Sequence, residues 1–448
     1  MRKRTNIILV LFIFLFVSCS ADQAPNPSTW LGNFELFWRG MSRNYAFWGH
    51  DSTDWDSLYD EYRPKFASLD ASVEADNEKA FRYIYEMTRN FSDGHFAVAF
   101  SPSLFPSRNS KSIIMSPSIV QRYLTRYDGI SEDMAYDYMS HANSDNYQIH
   151  QEILETDLCS LYNSDLVYNA IQARPSDIVY AIDIENKFSA AIYRDVSGVV
   201  YFTFSAFQFI SYINSYLLGD VSDVVLDVVA VYKRFVEYVN DCETTGLIID
   251  LRANEGGAVD DGALLWGALI EEKRQVGYSR YKVGENRLEY GEYIPYFVNP
   301  IDYAKLEALG LSRCENKTFY KPIAVIINTS SVSMAELSTL FFKTFANSKV
   351  FGVNSFGGLG VITGEPDVLN AGVFNTGFLS LVYTPSAVIY DLNKNLVDGV
   401  GIAPDERVEF DFNSFFSVSP NKTIHPTGKD TMLDCAREWI NAAIKGQV

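Results

Sequence analysis

The chain has 448 residues, 47% of them hydrophobic and 15% aromatic, with 37 Lys+Arg against 56 Asp+Glu. At about 100–200 residues per domain this predicts two or three domains with an ample core and excludes a disordered tail. A formal charge of −19 argues against nucleic acid as a partner, because tracking a phosphate backbone requires clustered Lys and Arg.

Arg2, Lys3 and Arg4 precede an apolar run over residues 7–17. That run is shorter than the ~20 residues needed to span a bilayer, so residues 1–18 read as an export signal. Phe16-Val17-Ser18-Cys19 resembles a bacterial lipobox, in which the cysteine is lipidated and becomes the mature N-terminus. The alternative is an ordinary secretory signal with an incidental Cys19. Residues 19–29 are polar, contain Pro25 and Pro27, and are expected to tether the lipid to the folded body. The expected location is therefore the cell envelope, in the periplasm or at the outer membrane or cell surface, with membrane contact through the N-terminal lipid. Cys159, Cys242, Cys314 and Cys435 form no C-x-x-C pair, and so neither a zinc ribbon nor a redox motif.

Over residues 30–95 apolar side chains recur at helical spacing, as in Phe34, Phe37, Trp38 and Met41, then Phe81, Ile84 and Tyr85. This predicts an N-terminal helical subdomain. Residues 96–100 (FAVAF), bounded by Ser-Pro, suit a strand. The rest of 96–195 is polar and rich in Tyr and Asp, and is expected to be an inserted cap with strands at 178–182 and 190–193. From residue 196 to the C-terminus the pattern becomes that of a core. A strand at 199–204, a helical repeat over 221–239, a buried strand at 246–251, a helix near 263–271 and a strand at 323–327 alternate as in an α/β sheet.

Four stretches could carry chemistry. The strand at 323–327 runs into Asn328-Thr329-Ser330-Ser331-Val332-Ser333-Met334-Ala335-Glu336, which puts Ser333 at a strand-to-helix turn. A hydroxyl there is exposed, and backbone N–H groups and the helix dipole point at any negative charge forming beside it. Ser333-x-x-Glu336 is equally a capping box. Asp250-Leu251-Arg252-Ala253-Asn254-Glu255-Gly256-Gly257 opens a strand end into paired glycines, whose N–H groups can approach a ligand without a Cβ in the way; a plain turn has the same composition. His95 follows Ser92-Asp93-Gly94 and is the best-placed of five histidines to act as a general base, although a surface histidine beside a turn would look alike. Asp398, beside Gly399 and Gly401, could orient an imidazole or merely serve a turn. None of the histidines has metal-ligand spacing, and Gly357-Gly358-Leu359-Gly360 lacks the spacing and the lysine of a phosphate loop, so no metal, nucleotide or other cofactor is expected.

Taken together, these stretches resemble the serine peptidase family of C-terminal-processing (tail-specific) and tricorn-core proteases. The resemblance extends to Phe34, Trp38, Asn44-Tyr45, Asp54-Trp55, Tyr59 and Tyr62-Arg63-Pro64. It implies an α/β fold, a crotonase/Clp-like protease core of ββα units. Gly358 stands where the C-terminal-processing branch has its lysine base, so the resemblance is to the tricorn-like branch, which uses a histidine. Carried over residue by residue, it implies Ser333 as nucleophile, His95 as base, Asp398 as the orienting acid in place of the usual Glu, and an oxyanion hole from the N–H groups of Met334 and of Gly256 or Gly257. The implied substrate is a polypeptide or peptide. The other reading is a non-catalytic lipoprotein binding a peptide or an apolar ligand on the same scaffold.

Overall fold

The computed structural model describes residues 24–108, 113–118, 120–121, 131–134, 136, 163–311, 318–361, 372–419 and 424–446. The expected signal segment, Cys19, and most of the middle of the expected cap lie outside them. The strands are β1 (Ala97–Phe100), β2 (Ile113–Met115), β3 (Val179–Asp183), β4 (Phe188–Arg194), β5 (Val199–Phe204), β6 (Gly246–Asp250), β7 (Arg274–Tyr281), β8 (Ile294–Val298), β9 (Ile323–Ile327), β10 (Ser348–Gly352), β11 (Leu379–Tyr383), β12 (Ala387–Tyr390) and β13 (Glu406–Arg407). A shorter pair follows at Phe416–Val418 and Ile424–Pro426.

The main sheet has seven strands in the order β13-β10-β9-β6-β5-β4-β3. From β5 to β13 neighbouring strands are parallel, and β3 and β4 complete the sheet antiparallel. Every residue of β5, β6 and β9 is buried, as expected of parallel strands covered on both faces. Val200, Phe202, Leu247, Ile249, Val325 and Ile327 face the core shared with helices Phe209–Leu217, Asp223–Asn240 and Met334–Lys343. Tyr201, Ile248, Ala324 and Ile326 pack instead with Val167 and with Met432, Ala436 and Ile440 of helix Thr431–Ile444. The strands anticipated at 178–182 and 190–193 form as β3 and β4, and they extend the main sheet, so that sheet starts well before residue 196.

The N-terminal helices Trp30–Asn44, Trp55–Ala67 and Glu74–Thr88 build a separate aromatic core. Trp30, Phe34, Phe37, Trp55, Phe66 and Phe81 pack there with Phe100 of β1 and Val382 of β11. The chain leaves helix Glu74–Thr88 through the turn that carries His95 before it enters β1, which is how this subdomain delivers a side chain to the main sheet.

At the C-terminal end of β6 the sequence Asp250-Leu251-Arg252 makes a buried ion cluster. The Arg252 guanidinium, with no exposed surface, reaches Asp250 Oδ2 and Asp430 Oδ2 at 2.5 Å each. Tyr201 donates its hydroxyl to Asp250 at 3.0 Å, and Asp430 caps helix Thr431–Ile444 by accepting from Leu433 N–H. Removing one partner of such a cluster strands the others' charge in a dry site. Arg252→Ala should therefore lower unfolding free energy by about 3–5 kcal/mol, read by denaturant melts; a loss under 1 kcal/mol would show that the two carboxylates simply take up protons.

Candidate active site

The carboxyl ends of β5, β6, β9 and β10 lie on one edge of the sheet, the edge at which α/β proteins place ligands. The loops leaving them are laced together. Asn254 donates its side-chain N–H to Phe204 O at 2.7 Å and accepts Val332 N–H on its backbone carbonyl at 2.9 Å. Ser331 Oγ donates to Leu251 O at 2.7 Å, and Ala253 N–H to the Asn328 side chain at 3.0 Å. The Asp-x-Arg-x-Asn pattern thus holds the β6 loop against the β9 loop.

Ser333 sits between β9 and helix Met334–Lys343 with φ 56° and ψ −112°. Positive φ in a side-chain-bearing residue is strained by roughly 1–3 kcal/mol and persists where neighbours over-determine it. Its backbone N–H donates to Glu336 Oε2 at 3.1 Å. Gly256, at φ +86°, presses on the same turn: a Cβ there would lie 2.7 Å from Ser333 Cβ and 3.0 Å from Met334 N. Only glycine allows this approach.

The Met334 N–H heads its helix, and the Gly257 N–H has no partner among the described residues, since Phe207 pairs instead with Gly256 O and Ala258 N–H. Gly256, the alternative oxyanion donor of the sequence reading, is corrected here: its N–H is taken by Asn254 Oδ1 at 2.9 Å. A side-chain acceptor two residues back was not visible from the Gly-Gly pair alone.

Ser333, Met334, Gly257 and His95 line one cavity of about 410 Å³, with Glu255, Gly360 and an apolar wall of Val259, Tyr296, Leu337, Leu359, Val361, Tyr383 and Ile389. Among the described residues no hydrogen bond joins Ser333 Oγ to His95. The His95 backbone N–H donates to Asp93 Oδ1 at 2.8 Å, closing a turn, while its ring Nδ1 is buried without a partner. Burial pushes the imidazole down to about 4, which leaves it neutral at pH 7.

Asp398 is fully buried. Its Oδ1 accepts from Leu359 N–H at 3.0 Å and Gly360 N–H at 3.2 Å, and its Oδ2 has no partner. Burial first, and the charge of Glu336 second, push it up to about 8. Asp93, also buried, is held well above the usual carboxylate range by burial and by Asp398. One polar atom from each of Asp93, His95 and Asp398 lies within 4.8 Å of the other two. Among the described residues this is the one grouping of His, Cys, Asp and Glu side chains compact enough to share a cation.

Glu336 does more than cap its helix. Its buried carboxylate also accepts from Ser355 Oγ at 2.6 Å, Gly357 N–H at 2.7 Å and Gly358 N–H at 2.8 Å. It ties the Ser333 turn to the loop that carries Gly358. A Cβ on Gly94 would lie 2.3 Å from Gly357 O and 2.6 Å from Gly358 Cα, so the His95 turn is packed backbone to backbone against that loop. Gly399 N–H donates to Gly357 O at 2.9 Å, adding the Asp398 turn to the stack. The histidine-bearing turn fills the space beside Gly358.

Comparison with known proteins fits this geometry. Residues 210–408 match the model of peptidase family S41, and residues 27–77 match that of the tricorn protease C1 domain. No curated relative matches the sequence. The fold is similar to a candidate peptidase from Parabacteroides merdae, with TM-score 0.55, 19% identity, and 93% of this chain and 98% of that one covered. It is also similar to mature CPAF, with TM-score 0.51, 11% identity, and 94% and 97% covered. The chain thus carries a serine-peptidase domain of family S41 over residues 210–408, with a tricorn-type C1 segment over residues 27–77 ahead of it.

Proposed function

We propose that Ser333 is the residue acylated by a peptide substrate, that His95 is its general base and acid, and that Asp398 orients His95. Ser333 Oγ attacks the carbonyl carbon and passes its proton to the imidazole. The oxyanion forms between the N–H groups of Met334 and Gly257. Collapse breaks the C–N bond, and His95 returns the proton to the leaving amine. Water then repeats the sequence on the acyl-enzyme. The buried Nδ1 of His95 and Oδ2 of Asp398, each without a partner, are the atoms we assign to the orienting contact, because an unpaired buried polar atom is costly unless a functional state uses it. Losing one oxyanion donor from such a site usually costs about 2.7–4 kcal/mol.

The observation that carries this reading is Ser333 at φ 56° at a helix start, in the cavity that also holds His95. We further propose that residues 1–18 are cleaved, that Cys19 carries lipid, and that the enzyme is an endopeptidase of the cell envelope. The absence of a Ser333–His95 hydrogen bond among the described residues favours, as a second reading, a ligand-binding protein with an idle serine. Intact-mass spectrometry of the full-length protein after a fluorophosphonate probe tests both parts. One adduct is expected on the wild type and none on Ser333→Ala or His95→Ala. The same spectrum should show loss of residues 1–18 and an added diacylglyceryl mass that Cys19→Ser lacks. A folded, unlabelled wild type would establish the binding reading, and an unlipidated mature chain would return Cys19 to an incidental role.

A further inference from the structure

Glu255 stands between Asn254, which fastens the loop, and Gly256, which touches the Ser333 turn. Its backbone N–H donates to Ser205 O at 2.9 Å, so the residue is held in place while its side chain is exposed. That side chain lines the same cavity as Ser333 and His95. Neighbouring Cα atoms are ~3.8 Å apart. Together with the 2.7 Å approach of a Cβ on Gly256 to Ser333 Cβ, this keeps the Glu255 Cα within roughly 8 Å of the nucleophile's Cβ.

Nothing in the site offsets this charge. Among the described residues the Glu255 carboxylate has no ion pair or hydrogen bond, and the cavity lining contains no Lys or Arg. A fixed negative charge two residues from the Gly257 N–H works against the negative charge that an attacked carbonyl acquires. A cation on the substrate, paired with Glu255, cancels that opposition. The benefit then falls on the transition state as well as on binding, and should appear in kcat as well as KM. The apolar residues of the lining leave the remaining volume to a hydrophobic side chain.

We propose that Glu255 is a specificity-determining residue that selects peptides with a Lys or Arg side chain within two residues of the scissile bond and rejects those with Asp or Glu there. This rests on the assignment of Ser333 as nucleophile. The test uses full-length protein and N-acetylated, internally quenched peptides that share a central Leu and carry Lys, Gln or Glu at the flanking positions. For the wild type, kcat/KM should fall by about tenfold from Lys to Gln and again from Gln to Glu, with a gap that shrinks in high salt as expected of an exposed charge. In Glu255→Gln the three rates should converge to within about twofold, and in Glu255→Lys their order should invert, an outcome a merely structural role cannot produce. An unchanged Lys-to-Glu ratio in Glu255→Gln, with Ser333 still labelled by the fluorophosphonate, would overturn the specificity inference alone. A folded wild type that takes no label would overturn the nucleophile assignment instead. Fluorescence anisotropy of the same peptides on Ser333→Ala, with and without Glu255→Gln, then reads charge selection directly: a Lys preference lost in the double variant supports it, and equal binding of all three peptides sinks it.

Discussion

Ser333→Ala and His95→Ala should each lower kcat on a peptide substrate by about 10⁴–10⁶-fold, and the double variant should be no worse than the poorer single one. Non-additivity is expected because in the proposed mechanism the two side chains act on one proton. Without the imidazole the hydroxyl stays protonated, and without the hydroxyl the imidazole has nothing to deprotonate. A residual rate of roughly 10³–10⁴ over water should survive in all three, supplied by the Met334 and Gly257 N–H groups and by substrate binding. Folding should be little affected. Ser333 makes its tie to Glu336 through the backbone N–H, which alanine keeps, and the His95 turn is closed by its own backbone N–H on Asp93. Steady-state kinetics beside thermal melts separate the cases: losses that multiply in the double variant would mean that Ser333 and His95 serve different steps.

Much of this site was legible from local pattern. The strand at 199–204 and the strand at 323–327 form with the predicted bounds, because unbroken apolar runs of that length have few alternatives. Ser333 was visible as a strand-to-helix turn and Gly256-Gly257 as a turn without side chains. What spacing could not reveal were partners brought in from far along the chain. Glu336 read as a capping residue, and its bonds to Ser355, Gly357 and Gly358 depend on a loop some twenty positions away. The glycines at 357–360 showed no local purpose, because letting three turns stack backbone to backbone needs Gly94 and Gly399 beside them. Strands β3 and β4 were readable as strands, yet alternation says nothing about which sheet a strand joins, and they joined the main one. The engaged N–H of Gly256 depends on the side-chain direction of Asn254, which composition does not encode.

Asp398→Asn should both impair catalysis and stabilise the fold at alkaline pH. To support a protonated His95 the carboxyl must be ionised, yet burial pushes Asp398 up to about 8. His95, held down to about 4, is already in its base form at neutrality. Activity should therefore rise with pH through about 8, and no acidic optimum should appear. The step belongs to the cluster rather than to one residue, since Asp93 and Glu336 lie close enough to influence it. The sign for stability is opposite. A carboxyl raised above its ordinary value holds its proton more tightly in the folded chain than in the unfolded one. Its contribution is fully present below about pH 4 and is lost as pH rises through about 8. The asparagine keeps an oxygen for Leu359 and Gly360 N–H but never ionises. It should match the wild type in thermal melts only near pH 4 and below, pull ahead as pH rises, and exceed it at pH 9 by an amount on the order of a few kcal/mol. Its kcat should be lower by about 10⁴-fold, because an amide at this position favours the wrong imidazole tautomer. The alkaline rise in rate should vanish with it. A variant that retained full activity would remove Asp398 from the mechanism, while equal melts at pH 9 would show that the carboxyl is ionised without penalty in the folded chain.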